Sequence, residues 1–292
     1  MTLHLYTLSR DRASDVKLLP AIARIHFAAW MTLKLMQTVY YGPESSHPLI
    51  TQKYLNQHTH SLQNEPQCRF VVAIDDKLED DTGPEDRTRT DQDSERPRGR
   101  VIAAIKYYVV PEGGPHPDTG TQEVINNPAQ LEVVHGLTYE NEALSNAFVG
   151  ALVDARKQAM KMLGSHMLID LLYTDPAQQG RGAGGMLMRH ACREADDLGL
   201  PTMLEASPAG LSVYEGVGFR KVEWPGAEIW IDLKRWSNGE DKGRDFEDQR
   251  LATDPRRMDG WYAQIVMVRP AQAKGDTGKV PLEAGDHDAI VV

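Results

Sequence analysis

The sequence predicts an α/β (α+β) protein, and three observations support that fold class. Residues 166–200 read as a strand, a glycine-rich loop and an amphipathic helix. Residues 69–75 and 100–110 are two apolar stretches that can pair as an antiparallel hairpin. Residues 201–215 repeat the strand-then-helix order. Strands and helices therefore alternate through most of the chain.

In the first half, residues 2–8 alternate enough to form a first strand, and Ser14 is placed to begin a helix through about Tyr40, with Pro20 kinking or restarting it. Residues 76–100 are dense in Asp, Glu, Arg, Thr and Pro, and this composition favours a disordered insertion between the two hairpin strands. Residues 111–130 are rich in Pro, Gly and Asn and are typical of a loop.

In the second half, apolar residues at helical spacing predict a long helix over 139–163 that leads into a central strand. The remaining predicted elements are a strand at 167–174, a helix from Met186 to Leu198, a strand at 201–206, a short helix at 208–215, and last strands at 219–236 and 261–269. We expect one domain over residues 1–270, with a mobile connection at 237–258 and a disordered tail at 271–292.

Composition narrows the function classes. The chain has 292 residues and a formal net charge of -10, which argues against a general binder of nucleic acid or of anionic membranes, since both need basic surfaces. The same charge is compatible with a cationic amine substrate. Two cysteines are too few for a disulfide framework, and the sequence shows no signal peptide or membrane-spanning run. A cytoplasmic location is the expectation, and oligomeric state is not indicated.

The loop before the central helix, Gln179-Gly-Arg-Gly-Ala-Gly-Gly185, is the strongest candidate for a binding site. Its glycines let the backbone turn sharply and let a ligand approach without Cβ atoms in the way. The free N–H groups of the following helix then face any anion at that point. A phosphate or pyrophosphate cradle is the functional hypothesis, and a simple tight connection is the alternative.

Two known patterns fit this loop. Gly180, Gly182 and Gly185 match GxGxxG, the dinucleotide fingerprint, with Glu205 placed to bind a ribose. However, residues 175–179 separate the loop from its strand, and too little βαβ pattern follows to finish a doubly wound sheet.

The second pattern is Q-x-x-G-x-G, filled by Gln179, Gly182 and Gly184, and it is followed by the run Tyr214-Glu-Gly-Val-Gly-Phe219. These two motifs, in this order, resemble the acyl-CoA loop and the Y-E-x-x-G-F segment of the GNAT superfamily of N-acetyltransferases. The resemblance covers roughly residues 168–219.

The resemblance implies a mixed, largely antiparallel twisted sheet with splayed central parallel strands and flanking helices. Acetyl-CoA would lie in the gap between strands 167–174 and 202–206 as the cosubstrate, and no metal is implied. The implied cofactor-binding residues are Leu172, Tyr173 and Thr174, which would pair with the pantetheine arm, then Gln179, Gly180, Arg181, Gly182, Ala183 and Gly184 around the pyrophosphate, and Ser207, which stands where many relatives carry Asn.

The resemblance also suggests two catalytic residues. Tyr214 occupies the position of the family's usual general acid, which protonates the departing CoA thiolate; the alternative is a core tyrosine. Asp170 is the only ionisable residue inside the central strand, and partial desolvation would raise its pKa towards the working range of a base. Asp170 could instead only bond a neighbouring backbone or arginine, and Glu205 is a second carboxylate candidate.

The leading hypothesis is therefore an acetyl-CoA-dependent N-acetyltransferase that moves the acetyl group directly to a primary amine. The alternatives are a CoA-binding sensor without turnover and, less favoured, a dinucleotide-binding oxidoreductase. The amine acceptor is not indicated, although four aromatic residues of the first helical region are candidates for lining its pocket or for core packing: Phe27, Trp30, Tyr40 and Tyr41.

Overall fold

The computed structural model describes residues 3–79, 98–114, 140–236 and 260–272. Eight strands form one sheet in the order β1-β2-β3-β4-β5-β8-β6, and β7 also pairs with β8. Every neighbouring pair is antiparallel except the central pair β4–β5, which is parallel. The strands are β1 (Leu3–Thr7), β2 (Cys68–Asp75), β3 (Arg100–Val110), β4 (His166–Thr174), β5 (Thr202–Ala206), β6 (Arg220–Lys221), β7 (Glu228–Asp232) and β8 (Trp261–Arg269). The predicted mixed, largely antiparallel sheet is confirmed.

Helices cover both faces of this sheet. They are α1 (Ala13–Val16), α2 (Leu19–Trp30), α3 (Lys34–Val39), α4 (His47–Asn64), α5 (Glu142–Leu163), α6 (Ala183–Leu198), α7 (Leu211–Gly216) and α8 (Leu233–Trp236). One core lies under α2, α4 and α5, and the other lies under α6 and α7. The central strands are buried on both faces, which explains why β3 reads as an almost continuous apolar run.

The region predicted as one helix from Ser14 to Tyr40 is not continuous. The segment instead forms three helices, α1 to α3, with Pro20 in the first turn of α2, where a missing N–H group costs nothing. Helix α4 was not predicted from the sequence, because its outer face is polar and its mean hydropathy is low. Its buried residues Ile50, Tyr54, His58 and Leu62 recur every four positions, so the signal was present in the sequence.

The region predicted as a strand over 219–236 is also not a single element. It divides into β6, a turn containing Gly226 at φ +81°, β7 and the short helix α8. The turn lets two separate short strands pair with β8. Most of the predicted insertion at 76–100, the connection at 237–258 and nearly all of the tail at 271–292 lie outside the described residues.

Glycines fix both ends of α6, the helix that follows the glycine-rich loop. Gly182 precedes it at φ +77° and Gly199 ends it at φ +68°, a left-handed conformation that only glycine adopts at low cost. Asp196, in its last turn, accepts two hydrogen bonds from Arg269 at 2.7 and 2.8 Å, which joins α6 to β8. None of the helices in the described segments is both long and apolar enough to cross a bilayer.

Candidate active site

The two central strands separate shortly after they meet. β4 and β5 pair only from Met167 with Thr202 to Ile169 with Leu204. β4 continues to Thr174 with β3 on one side and, in the described part of the chain, no strand on the other. Backbone groups of Leu172–Thr174 therefore border an opening that an extended ligand can enter as an added strand does.

A β-bulge marks the point where the opening begins. Lys106 of β3 pairs with Leu171 and Tyr107 pairs with Ile169, so Asp170 is an extra residue with no partner in β3. The bulge shifts the alternation of side chains by one residue. Asp170 and Leu171 both face the cavity under α2, α4 and α5.

Four charged side chains form a buried cluster beside the bulge. Asp170 lies 2.8 Å from the Nζ of Lys106 and 3.0 Å from a guanidinium nitrogen of Arg156. Arg156, which is 4% exposed, also donates to Glu205 at 2.8 and 3.0 Å. Two cations and two carboxylates thus balance one another on one face of the sheet, which is how buried charges are usually tolerated.

This cluster decides the acid–base character of Asp170. Burial alone would raise the pKa of its carboxyl, but Lys106 and Arg156 outweigh burial and lower the pKa to about 2. The predicted rise of this pKa is therefore wrong, because two cations from other elements reach Asp170, which no pattern in the sequence indicates. At neutral pH its carboxylate is ionised and is a weak proton acceptor.

Glu205 is likewise enclosed. It is 1% exposed, and both of its oxygens accept hydrogen bonds from Arg156. A ribose-binding acid must be open to its ligand, and a doubly wound fold needs a largely parallel sheet. The dinucleotide interpretation is therefore wrong for this fold.

A cavity of about 180 Å³ lies next to Asp170, between β3, β4 and the helices above them. Its lining is mostly aromatic and aliphatic. The residues that line it are His26, Trp30, Met36, Val39, Tyr40, Lys53, Tyr54, Gln57, His58, Ser61, Lys106, Tyr108, Ser145, Phe148, Val149, Leu152, Val153, Arg156, Asp170 and Leu171. Of the four aromatic candidates, Trp30 and Tyr40 line it, whereas Phe27 packs against His47 and Tyr41 is 41% exposed.

Two buried histidines connect helices α2 and α4, which cover this cavity. Nδ1 of His26 lies 3.0 Å from Nε2 of His58, and the hydroxyl of Tyr173 lies 3.3 Å from the same nitrogen. Burial lowers the pKa of both imidazoles, to about 3 for His58, with the positive charge of Lys106 contributing to each shift. Both rings are neutral at physiological pH. The sequence analysis missed this pair because His26 and His58 belong to different helices, one of them not predicted.

The glycine-rich loop follows β4 at the open end of the gap. Gly180 and Gly182 both have φ +77°, and an added Cβ at either position would meet nothing within 4 Å, so one side of the loop is free for a ligand. Ala183 and Gly184 are buried in the first turn of α6, whose N–H groups begin at this point. The predicted cradle is thus present as geometry, and its ligand stays a prediction.

Arg181 does not extend into solvent. Its guanidinium donates to Asp75 at the end of β2 and to Gln178, and its side chain is 18% exposed. These contacts hold the loop against the sheet. Arg181 therefore has a structural partner, and its predicted phosphate contact stays a prediction.

Two further candidates lie in the core near the gap. Thr174 is buried, and its hydroxyl oxygen has no hydrogen-bond partner among the described residues. Ser207 is buried directly after β5, and its backbone carbonyl accepts from the N–H of Gly210 at 2.9 Å. Thr174 ends β4 and Ser207 directly follows β5, so both lie at the carboxyl ends of the two splayed strands, as predicted from the sequence.

Tyr214 is fully buried in α7, and its ring packs edge-on against Phe219 at 6.0 Å. In the described structure its hydroxyl has no hydrogen-bond partner, and burial raises its pKa far above the ordinary range. It belongs to the core under α6 and α7, opposite the face that carries Asp170. The structure therefore does not bring Tyr214 and Asp170 into one cavity.

A substitution at Gly182 tests the cradle. Because its φ of +77° is unfavourable for any residue with a Cβ, Gly182→Val strains the turn and adds a branched side chain on its open side. We expect acetyl-CoA affinity, measured by isothermal titration, to fall by at least about 10-fold. Gly113→Val at φ +66°, where an added Cβ also has open space, is the matched strain control and should leave affinity unchanged. Normal affinity in a folded Gly182→Val variant would show that the loop is only a connection.

Comparisons with known proteins agree with this geometry. Residues 127–235 match the model of an acetyltransferase (GNAT) domain. Arylalkylamine N-acetyltransferase 2 from Aedes aegypti has the same fold, with a TM-score of 0.53 and 12% identity over 93% of this chain and 100% of that one. Two other similar structures are a polyamine N-acetyltransferase from Drosophila melanogaster (TM-score 0.48, 13% identity, 92% and 100% covered) and PaiA N-acetyltransferase from Thermoplasma acidophilum in complex with coenzyme A (TM-score 0.41, 12% identity, 92% and 99% covered).

The search of curated proteins found no match. The family model covers the region that holds β4, the glycine-rich loop and Tyr214. The fold, with its single parallel pair splayed in a largely antiparallel sheet, is that of the same family. Residues 127–235 of this chain thus match a GNAT acetyltransferase domain, and the sheet around them has the corresponding fold.

Proposed function

We propose that the protein transfers the acetyl group of acetyl-CoA directly to a primary amine. The observation that carries the proposal is the gap between β4 and β5, which has an open glycine-rich loop at its end and a cavity beside its start. A donor and an acceptor can thus enter from different sides and meet at the bulge. The amine acetyltransferases among the similar structures support this acceptor class.

On this proposal, acetyl-CoA lies along β4. The backbone of Leu172, Tyr173 and Thr174 pairs with the pantetheine arm, and the amides of residues 179–184 hold the pyrophosphate. Ser207 donates one hydrogen bond to the cosubstrate. The thioester then lies near Asp170, where the sheet opens.

The chemistry is a nucleophilic acyl substitution. The amine nitrogen attacks the thioester carbon, the carbon–sulfur bond breaks, and the CoA thiolate leaves. Tyr214 supplies a proton to that thiolate; the raised pKa of its buried hydroxyl keeps it protonated throughout the neutral range. The proton that the attacking nitrogen loses passes to solvent, and Tyr214 regains a proton from solvent before the next turnover, so the products are the amide and free CoA. Asp170 is placed to accept a hydrogen bond from the amine and to orient it, and its low pKa means that it does not take up the proton.

This assignment predicts a simple pH dependence. The described cavity residues with shifted pKa values are either lowered to acidic values, as for His58 and Asp170, or raised, as for Lys106 and the tyrosines. None of these would titrate near neutrality, so the acceptor must arrive as the free amine, whose pKa is near ~10. We expect kcat/KM to rise about 10-fold per pH unit from pH 6 to 9. A plateau beginning near pH 7 would show that a protein base with a neutral pKa takes part.

The first test is isothermal titration of acetyl-CoA, with NADH and NADPH as controls on the same preparation. We expect heat from acetyl-CoA only, followed by release of free thiol when an acceptor amine is added. Binding without thiol release for any amine in a broad panel would favour a CoA-binding protein without turnover. The absence of acetyl-CoA binding would overturn the proposal.

A further inference from the structure

We propose that the cavity beside Asp170 is the acceptor site and that it selects a compact hydroxyaromatic monoamine, with one ring, one short aminoalkyl arm and a ring hydroxyl. This inference rests on the proposed acetyl transfer and specifies its substrate class. Three properties of the cavity carry it: its size and lining, its charge balance, and the unpaired nitrogen atoms of the histidine pair.

The size and lining favour a single aromatic ring. The cavity measures about 180 Å³, slightly more than the engineered cavity of about 150 Å³ that accommodates benzene. Trp30, Tyr54 and Phe148 are among the aromatic residues that line it, and aliphatic side chains form much of the remaining wall. Aromatic rings pack well against such surfaces in offset or edge-on arrangements. A bulky peptide segment does not fit in this volume.

The charge balance argues against a polyamine. Asp170 is already paired with Lys106 and Arg156, and Lys53 is paired with Glu140 at 2.7 Å. Among the described lining residues, Asp170 is the only carboxylate and three side chains are cations. A second ammonium group would therefore enter a buried space without an additional negative partner, which is costly. A monoamine that enters as the free base brings no such charge.

The histidine pair provides an uncharged polar position in the lining. The rings are neutral, and a single N–H group lies between Nδ1 of His26 and Nε2 of His58. Each neutral imidazole carries one N–H donor and one acceptor nitrogen. Whichever ring donates, the two remaining nitrogen atoms are one donor and one acceptor.

Both of these nitrogen atoms, Nε2 of His26 and Nδ1 of His58, are buried and have no partner among the described residues. A buried polar atom without a partner costs about 1–3 kcal/mol, so a ligand that supplies the missing hydrogen bonds is favoured. A hydroxyl group both donates and accepts, and it therefore suits either tautomer of the pair. A ring hydroxyl is the substituent that matches this requirement.

The test measures kcat/KM for tyramine, phenethylamine and spermidine with the full chain at saturating acetyl-CoA, read by released thiol and by product mass. We expect tyramine to exceed phenethylamine by roughly 10-fold or more, since the two differ only in the ring hydroxyl. We expect spermidine to be slower than both. Equal values for tyramine and phenethylamine would overturn the hydroxyl assignment, and faster spermidine turnover would overturn the substrate class.

Two variants connect this preference to the cavity. His58→Phe keeps a flat ring and removes the polar nitrogen atoms, so the tyramine-to-phenethylamine ratio should fall towards one. Val149→Trp fills the cavity from α5 and should raise the KM for tyramine by at least about 10-fold while acetyl-CoA affinity stays unchanged. Ala147→Trp, on the exposed face of the same helix, is the matched control and should leave both unchanged.

These results separate the inference from the proposed function. If acetyl-CoA does not bind, or no amine releases thiol, the transferase proposal itself fails. If an amine is acetylated but Val149→Trp has the same KM as Ala147→Trp, the transferase proposal stands and the cavity is not the acceptor site. Persistence of the tyramine preference in a folded His58→Phe variant would remove His58 from recognition, and persistence when His26→Phe is added would remove the pair.

Discussion

Replacing Arg156 with Met will lower the free energy of unfolding by about 3–5 kcal/mol. Arg156 is buried, and it is the side chain that contacts both Asp170 and Glu205. Met fills a similar volume but leaves Glu205 without this partner and leaves Asp170 with Lys106. Urea unfolding at neutral pH is the measurement.

Two further variants test whether the loss of stability in Arg156→Met comes from charge. Lys157→Met removes a neighbouring exposed cation, 3.8 Å from Asp154, and should change stability by less than about 0.5 kcal/mol. Adding Glu205→Gln to Arg156→Met should restore part of the loss, because it removes a buried charge that has lost its guanidinium contacts. If the double variant is no more stable than Arg156→Met, lost packing and not charge would explain the effect.

The same cluster predicts how stability depends on pH. The folded-state pKa of Asp170 is about 2, below an unfolded value near ~3.9. The contribution of Asp170 to the free energy of unfolding is therefore fully present above the unfolded pKa and is lost as pH falls towards 2. In Arg156→Met this pKa should rise, so the difference in stability between variant and parent should shrink as the solution is acidified.

Tyr214→Phe will lower kcat by roughly 10- to 1,000-fold while leaving acetyl-CoA affinity nearly intact. The expected loss follows from the proposed proton transfer to the CoA thiolate. The structure makes the substitution a clean one, because the hydroxyl is buried and contacts no hydrogen-bond partner in the described chain. Its removal should leave the melting temperature unchanged or slightly higher. Single-turnover kinetics and calorimetry check the two effects.

Tyr107→Phe is the matched control for this experiment. Tyr107 belongs to the same core, but its hydroxyl donates to Glu194 at 2.5 Å. Its removal should cost about 1 kcal/mol of stability and leave kcat unchanged. An unchanged kcat in Tyr214→Phe would exclude Tyr214 from the mechanism.

The fold was predictable where sequence patterns are local. β3, α5, β4 and α6 carry strong apolar periodicity or are bounded by glycine, and their predicted positions agree with the structure to within a few residues. α4 escaped because its buried residues are few and partly polar, including His58. Pro20 marks the break between α1 and α2, whereas the break between α2 and α3 depends on how the segment folds over the sheet.

Site residues could be predicted from the sequence only where they belong to contiguous motifs. The glycine-rich loop and Tyr214 are contiguous motifs, so sequence alone located them. The partners of Asp170 could not be predicted, since Lys106 lies on β3, 64 positions away, and Arg156 lies on helix α5. The pKa of a buried carboxyl depends on such tertiary contacts, and for Asp170 they reverse the direction that burial alone would give.

The bulge at Asp170 also bears on how the gene for this chain can change length. Side chains before it and after it follow opposite parities: Leu168 and Leu171 share one core, and Ile169 and Leu172 share the other. Loss of this single codon would therefore leave a regular strand in which every later side chain of β4 keeps its present face. Tyr173 would still face His58, and the change would remove the carboxylate that contacts Lys106 and Arg156. The gene can thus lose one codon here without exchanging the two faces of the strand, and what the protein would lose is a buried charge.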